Sequence, residues 1–222
     1  MVSGRREDVL VRVCEELGRD AIEVHAQVLD VTDAAAVDRV ATAILHKLGR
    51  IDLLLCSAGI NAPNRWWRDL TAESFARVTA VNLNGVAFCV TAVLPVMRRA
   101  AAGTIIVVSS WAGWRYTAFT GAAYGATKFG LAPLVESIND QEGRNGIRAT
   151  LVCPGEVATP ILKARPRPPA DEEIARMLQP EDVAAAVGFV AAMPMRSCIN
   201  ELVISPTWNR IYSGADDLAV PR

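Results

Sequence analysis

A tyrosine and a lysine four residues apart are the first candidates for chemistry in this sequence. Tyr124 and Lys128 lie in the segment Tyr-Gly-Ala-Thr-Lys. On a helix, residues four positions apart share one face, with their β-carbons about 5–6 Å apart, so both side chains can reach one cleft. A free phenol titrates near about 10, and a neighbouring ammonium group favours its ionised form. The pair is therefore suited to exchange a proton with an alcohol or a carbonyl compound.

A hydroxyl group at the end of a neighbouring strand can complete this arrangement. Ser109 and Ser110 follow an apolar run, and Ser110 can hydrogen-bond a substrate oxygen and hold it beside the phenol. The competing interpretation is that Tyr124 lies on a helix surface and that Lys128 is a solvated lysine, because a short motif alone is weak evidence. The elements around the motif decide between the two.

The composition favours one α/β domain over residues 1–222, with residues 205–222 as its C-terminal tail. Of the 222 residues, 51% are hydrophobic and 21% are charged, which suits a substantial core. The net charge of −1 argues against a nucleic-acid or an anionic membrane surface. The longest apolar stretch, residues 86–97, is too short to span a bilayer. The expected partner is a small molecule.

The cysteines and histidines predict no metal site. The five cysteines are odd in number and widely spaced, and His25 and His46 are the only histidines. Neither a zinc motif nor a disulfide framework emerges from these positions. Buried, reduced thiols in a cytoplasmic protein are expected instead.

Strands alternate with helices along the chain. Strands are expected at 22–31, 51–56, 104–109, 147–153 and 201–204, and helices at 33–48, 71–100, 121–143 and from residue 180 onward. This rhythm predicts βαβ units, and hence a Rossmann-like, doubly wound parallel sheet. Such sheets bind ligands outside the carboxyl ends of their strands. The segments at those ends are Asp30, Ser57-Ala58-Gly59, Ser109-Ser110 and Pro154-Gly155.

These motifs, in this order, resemble the short-chain dehydrogenase/reductase family over nearly the whole chain. Asp30-Val31 resembles the acidic pair that contacts the adenine, and Cys56-Ser57-Ala58-Gly59 stands where the family has Asn-Asn-Ala-Gly. Residues 154–159 resemble the Pro-Gly segment that holds the nicotinamide. This resemblance, together with two arginines near the start of the sequence, implies a set of cofactor-binding residues. They are Arg5, Arg6, Asp30, Val31, Ser57, Ala58, Gly59, Tyr124, Lys128, Pro154, Gly155, Val157 and Thr159.

The same resemblance implies a catalytic tetrad of Asn82, Ser110, Tyr124 and Lys128. Tyr124 would donate or accept the substrate proton while hydride passes between the nicotinamide and the substrate carbon. Lys128 would lower the tyrosine pKa and hydrogen-bond the nicotinamide ribose, and Asn82 would join a proton relay through a helix carbonyl and water. The implied activity is the interconversion of an alcohol and a carbonyl with NAD(P)(H), in a homodimer or a homotetramer.

The sequence departs from the family at its beginning. The family's first strand, glycine-rich cofactor loop and first helix have no counterpart, and residues 2–6 resemble the end of its second strand. We expect a gap in the sheet, a loss of neighbours for the strand of Asp30, and an upstream extension with Met1 as an internal or misassigned start. The alternative is a non-catalytic relic or interaction module that cannot hold a dinucleotide. A nucleotide-sugar epimerase shares the Tyr/Lys pair, but the part after Pro154 leaves little room for a sugar domain.

Two arginines predict the choice of cofactor. NAD-dependent members of the family carry an acidic residue where this sequence has Gly4, and Arg5 and Arg6 follow it. Because guanidinium groups pair well with phosphate, NADP(H) is expected over NAD(H). The alternative is a solvated basic turn.

Aromatic residues flank the predicted cleft and give a tentative substrate pocket. They are Trp66, Trp111, Trp114 and Tyr116. An equally open interpretation is that two or three of them pack the loops or a subunit interface. Residues 205–210 resemble the tail of NADP-dependent hydroxy-acid or serine dehydrogenases, which does not suffice to name a substrate.

Overall fold

The computed structural model describes residues 1–18 and 23–220, apart from the side chains of Ala164 and Asp216. The start of the strand expected at 22–31 therefore lies outside the described residues. The strands are β1 Val2–Gly4, β2 Ala26–Val28, β3 Leu53–Cys56, β4 Gly103–Val108, β5 Ile147–Pro154 and β6 Glu201–Ile204. The helices are α1 Glu7–Gly18, α2 Ala34–Leu48, α3 Ala72–Thr79, α4 Gly85–Ala100, α5 Trp111–Trp114, α6 Ala122–Glu142, α7 Asp171–Ile174, α8 Pro180–Ala192 and α9 Arg210–Ser213.

The strands form a parallel sheet with helices on both faces. β3, β4, β5 and β6 pair in that order, and β1 pairs separately with β2, all in parallel. The middle strands β4 and β5 are almost completely buried, as is typical of a sheet covered on both sides. The expected Rossmann-like α/β fold is confirmed.

Alternate residues of β4 supply two hydrophobic cores. Ile105 and Val107 face the core formed with α4 and α6, whereas Ile106 packs with Val152 and Val190 on the other side, under α8. This alternation follows from the period of two residues along a strand. α6 is therefore held firmly against the sheet, and it carries Tyr124 and Lys128.

The sheet is interrupted between β1 and β3, as expected. No strand of residues 1–18 or 23–220 pairs with both of them, and the side chains of Leu53 and Leu55 on β3 are 41% and 43% exposed. One detail of the expectation was wrong, because the strand before Asp30 keeps β1 as a neighbour. Among the described residues, β1 pairs only with β2 and β3 pairs only with β4. Each of the two therefore has a free edge, whose backbone donors and acceptors have no sheet partner.

A π-helical turn, Ala80–Asn84, joins α3 and α4 into one continuous helix. Thr71 caps its start by accepting a hydrogen bond from the backbone N–H of Ser74. By length and composition alone, residues 72–100 could cross a membrane, since this helix has 29 residues and contains an 18-residue window with a mean hydropathy of 1.8. Its buried side chains Val90 and Met97 nevertheless pack in the core against the sheet, as in a core helix.

Candidate functional site

The carboxyl ends of β3, β4 and β5 surround a cavity of about 330 Å³. Three of the four expected catalytic residues line it, namely Ser110, Tyr124 and Lys128. Ser110 follows β4, while Tyr124 and Lys128 project from the first two turns of α6. The geometry that the Tyr/Lys spacing predicts is present, with the Lys128 Nζ atom 5.8 Å from the centre of the Tyr124 ring.

Lys128 is a buried cation. Its side chain is inserted beneath the loop that follows β3, and Nζ donates a hydrogen bond of 2.8 Å to the carbonyl of Val108. The residue is only 4% exposed, and this burial lowers the Lys128 pKa from 10.5 to about 8. A β-carbon added at Gly59 would lie 3.5 Å from Nζ, so the loop approaches the ammonium group closely.

The acidity of Tyr124 differs from the expectation. Burial raises the pKa of the Tyr124 phenol, while a hydrogen bond from Ser110 and the positive charges of Arg165 and Arg65 act in the opposite direction. Lys128 is not among these influences, and its ammonium group donates a hydrogen bond to the Val108 carbonyl. The separate effect of Lys128 on the tyrosine pKa stays a prediction.

The two serines at the end of β4 have different contacts. Ser110 begins α5, and its hydroxyl accepts a hydrogen bond of 3.1 Å from the backbone N–H of Ala112. The Ser109 hydroxyl instead donates to the carbonyl of Lys128 at 3.0 Å and is 4% exposed. Both serines line the cavity, but Ser109 ties β4 to α6, and Ser110 is the hydrogen-bond partner of Tyr124.

Asn82 lies behind the cavity rather than on its wall. It is fully buried in the π-helical turn. Its carboxamide accepts from the Ile60 N–H at 2.8 Å and donates to the Ile60 carbonyl at 2.9 Å. The side chain therefore fixes the loop after β3, which contains Gly59. A π turn widens the helix and is frequent at functional sites.

The residues expected to hold the adenosine half of a dinucleotide surround a second cavity, also of about 330 Å³. Of the predicted residues, it is lined by Arg5, Arg6, Asp30, Val31, Ala58 and Gly59. Gly59 lines both cavities, so the two adjoin. Asp30 accepts hydrogen bonds from the N–H and hydroxyl of Thr32, which lower its pKa, and the positive charge of Arg5 acts in the same direction.

The other residues expected to bind the cofactor line the first cavity. They are Ser57, Pro154, Gly155, Val157 and Thr159, besides Gly59, Tyr124 and Lys128. The chemistry of the two cavities thus fits the nicotinamide riboside and the adenosine of a dinucleotide. The sequence contains no glycine-rich strand–turn–helix segment to receive the pyrophosphate between them.

Of the four aromatic residues expected around the substrate, only Trp111 lines the cavity. Its ring is edge-on to that of Trp114, which packs against the core, at 4.9 Å between centroids. Trp66 lies outside the cavity lining, beneath the guanidinium of Arg68. Tyr116 is 86% exposed. Three of the four thus lie outside the cavity lining, as the alternative of loop packing predicts. A role of these residues in substrate binding stays a prediction.

Sequence reasoning missed the charged groups of the cavity. Arg65, Glu156 and Arg165 line it, and Arg165 pairs with Glu156 at 2.6 Å. Glu156 directly follows the Pro-Gly segment, so its position could have been found from that motif. Nothing in the spacing of Arg65 or Arg165 marks them, because they lie in irregular loops that only the fold brings together.

Most of the chain matches a known protein family. Residues 1–169 match the family described as short chain dehydrogenase. The chain belongs to this family, whose members are oxidoreductases that act on alcohols or carbonyls with NAD(P).

Individual relatives and solved structures extend over most of the chain. The cis-4-hydroxycyclohexanecarboxylate dehydrogenase of Sinomonas cyclohexanicum is 33% identical over 83% of this chain and 75% of its own. An uncharacterized oxidoreductase of Staphylococcus saprophyticus is 29% identical, over 93% of this chain and 85% of its own. The closed form of a serine dehydrogenase complexed with NADP+ has a TM-score of 0.82 at 27% identity, covering 99% of this chain and 88% of that one. The alcohol dehydrogenase of Thermococcus sibiricus, complexed with 5-hydroxy-NADP, has a TM-score of 0.83 at 25% identity, covering 94% and 86%.

Proposed function

We propose that this protein interconverts an alcohol and a carbonyl compound by hydride transfer with NADP(H). The observation that carries the proposal is the position of Tyr124, Ser110 and Lys128 on the wall of one cavity that adjoins a second, arginine-bordered cavity at Gly59. The dinucleotide would supply or accept the hydride in the first cavity.

Each side chain has a separate task in the proposed reaction. In the direction of reduction, the Tyr124 phenol donates its proton to the substrate oxygen, and burial keeps that proton in place until the oxygen becomes basic. Ser110 hydrogen-bonds the same oxygen and orients it beside the phenol. The positive charge of Lys128 favours the phenolate that forms, and Asn82 holds the loop of Gly59 in position.

The preference for NADP(H) rests on Arg5 and Arg6. Both are exposed residues at the border of the second cavity, beyond β1, where a 2′-phosphate on the adenosine ribose could pair with them. Three of the similar solved structures contain NADP or an analogue of it. Substituting Arg5→Glu should weaken NADPH binding at least tenfold while leaving NADH binding unchanged, and equal affinities for NADPH before and after the substitution would contradict the preference.

We further propose that an additional β-strand pairs with both β1 and β3. Two free parallel edges and the exposed Leu53 and Leu55 support this proposal, because interior strands of a parallel sheet are buried on both faces. The reading frame upstream of the Met1 codon tests it: we expect a strand followed by a glycine-rich segment, and an in-frame stop codon before such a segment would contradict it. A cytoplasmic location and assembly as a homodimer or homotetramer stay predictions.

The central experiment is titration of the purified chain with NADPH, followed by assays of carbonyl reduction at 340 nm, the nicotinamide absorption band. Binding with turnover is the expected result. The Tyr124→Phe variant is the matched control, since it keeps the ring and removes the acid, and it should bind NADPH but lose at least about a hundredfold in kcat. A folded chain that binds no NADPH would favour the non-catalytic alternative, which the comparisons do not support.

A further inference from the structure

The catalytic cavity carries an excess of positive charge. Among its described lining residues the cations are Arg65, Lys128 and Arg165, and the only carboxylate is Glu156. Lys128 is mostly protonated at neutral pH, because its pKa is about 8. A partly enclosed site of this composition attracts anions, since charges interact more strongly where water is scarce.

Arg65 is fixed in place beside the start of α6. Its carbonyl accepts a hydrogen bond of 3.2 Å from the N–H of Ala122, and its Nε donates to the Ala62 carbonyl at 3.0 Å. Gly121 has a φ of +82°, and a β-carbon there would lie 2.4 Å from the Arg65 carbonyl oxygen. Arg65 is 4% exposed, and its guanidinium is therefore held rigidly on the cavity wall, close to Tyr124.

Arg165 lines the same cavity and directly follows the short helical turn Pro160–Ala164. Its guanidinium lies 5.0 Å from the centre of the Phe119 ring and pairs with Glu156, and its side chain is 13% exposed. Glu156 also contacts Arg210 at 3.3 Å, so one carboxylate serves two guanidinium groups.

The two arginines are close enough to influence each other and Tyr124. Burial and the charge of Arg165 together lower the Arg65 pKa to about 10. Both arginines favour the ionised form of the Tyr124 phenol. An anion between them would relieve their mutual repulsion and leave its other end beside the phenol.

We propose that the substrate is a short hydroxy acid or oxo acid whose carboxylate binds between Arg65 and Arg165. This inference rests on the proposed function and names the substrate class of the same site. In oxidation, the C–H bond of the carbinol breaks and its electron pair leaves as hydride to the oxidised nicotinamide dinucleotide. The hydroxyl proton passes to the Tyr124 phenolate, and the carbonyl of the oxo acid forms.

The two arginines could instead bind the diphosphate of the dinucleotide. The two assignments differ in their consequences, because a diphosphate site would be needed for every substrate. A carboxylate site, by contrast, would be needed only for substrates that are acids. The test therefore compares acids with their uncharged amides and measures cofactor affinity separately.

Binding is measured first without cofactor, by quenching of tryptophan fluorescence, since Trp111 lines the cavity. The probes are 2-hydroxybutyrate, 3-hydroxybutyrate and 4-hydroxypentanoate, each paired with its amide. We expect at least one acid to bind about tenfold or more tightly than its amide, as a charge-assisted pair requires. If every acid and its amide bind equally, the proposal is overturned.

Substitutions of the two arginines test whether they cause the preference for acids over amides. Arg165→Gln should raise the Kd of the preferred acid about tenfold and leave the Kd of NADP+ unchanged, and the Kd of the amide should change much less than that of the acid. Arg65→Lys, which keeps the charge but not the planar fork of donors, should give a smaller loss of the same kind. Arg167→Gln is the matched control, because it removes one arginine from the same segment outside the cavity lining. If Arg165→Gln weakens NADP+ binding and leaves the Kd of the acid unchanged, the assignment of these arginines to the substrate carboxylate is overturned.

The outcomes separate this proposal from the proposed function. Turnover of uncharged alcohols without any preference for acids would refute the carboxylate site and leave the oxidoreductase function standing. Fluorescence-detected binding of an acid that depends on Arg165, without turnover of any probe, would support the anion site and count against the oxidoreductase function.

Discussion

Replacing Lys128 by methionine should make the folded protein more stable, although it removes a proposed catalytic group. Lys128 is 4% exposed, and its ammonium group has one hydrogen bond in the described structure, to the Val108 carbonyl. Burial of the charge lowers the Lys128 pKa from 10.5 to about 8. Methionine has a similar length and no charge, so it can occupy the same channel without this penalty.

The magnitude follows from the change in proton affinity. A tenfold change is worth about 1.4 kcal/mol, so the lowered pKa corresponds to about 3 kcal/mol of folding free energy at neutral pH. Losing the hydrogen bond leaves the Val108 carbonyl without its donor, which costs about 1–2 kcal/mol. The net expectation for Lys128→Met is therefore a gain of about 1–2 kcal/mol in the free energy of unfolding, together with loss of activity.

The pH dependence of this gain in stability shows whether the buried charge of Lys128 is its cause. Between pH 8 and 10.5 the unfolded chain binds a proton at Lys128 that the folded chain does not, so the wild-type free energy of unfolding rises with pH in this window. Below about 8 both states carry the proton, and the penalty is present in full. The advantage of Lys128→Met should thus be greatest at neutral pH and should shrink as the pH rises towards about 10.

Urea unfolding followed by tryptophan fluorescence measures both quantities. Lys47→Met is the matched control, since Lys47 lies on the exposed surface at the end of α2, and its effect should stay within about 0.5 kcal/mol at either pH. A Lys128→Met protein that is less stable than wild type at neutral pH, with a difference that does not vary up to about pH 10, would refute the reasoning.

Two further substitutions test the supports of the site and of the fold. Asn82→Ala should lower the free energy of unfolding by about 2–4 kcal/mol, because it removes two hydrogen bonds to the Ile60 main chain and leaves both backbone groups buried. Thermal unfolding measures this loss, with Asn84→Ala as the control. Equal stability of the two variants would contradict the role assigned to Asn82. Glu142→Gln tests the ion pair between Glu142 and Arg98. The hydrogen bond from Arg98 is the largest cause of the low Glu142 pKa, which is about 2. The ion pair stabilises the fold above pH 4.5, and its contribution is lost as the pH falls through about 2. Chemical unfolding at several acidic pH values should therefore show that the free energies of unfolding of wild type and Glu142→Gln converge as the pH falls. A difference in these free energies that stays constant with pH would exclude this linkage.

Much of the fold could be predicted because it is encoded locally. The strand at Glu201–Ile204 was predicted to the residue, and α6 at Ala122–Glu142 lies within the limits set by Gly121 and Gly143. These elements have strong periodicity and terminal residues with clear conformational preferences. The short strand β2 was predicted less well, since its expected range was more than three times its observed length.

The candidate site could be predicted only where a motif carries it. The predicted cofactor residues at the two cavities come from segments that follow strands, and a parallel sheet brings such segments to one edge. The aromatic residues were predicted from their nearness to the cleft in sequence, but loop side chains take directions that spacing does not determine. Trp111 faces the cavity, whereas Tyr116, five residues later, faces solvent.

The sequence by itself determined the order of strands and helices and the spacing of Tyr124 and Lys128. The tertiary structure alone decided the partner of the Lys128 ammonium, the burial that raises the Tyr124 pKa and the meeting of Arg65 with Arg165 across one cavity. The physical reason is that pKa values and charge balance depend on distance and on exclusion of water, and both are set by residues far apart in the chain.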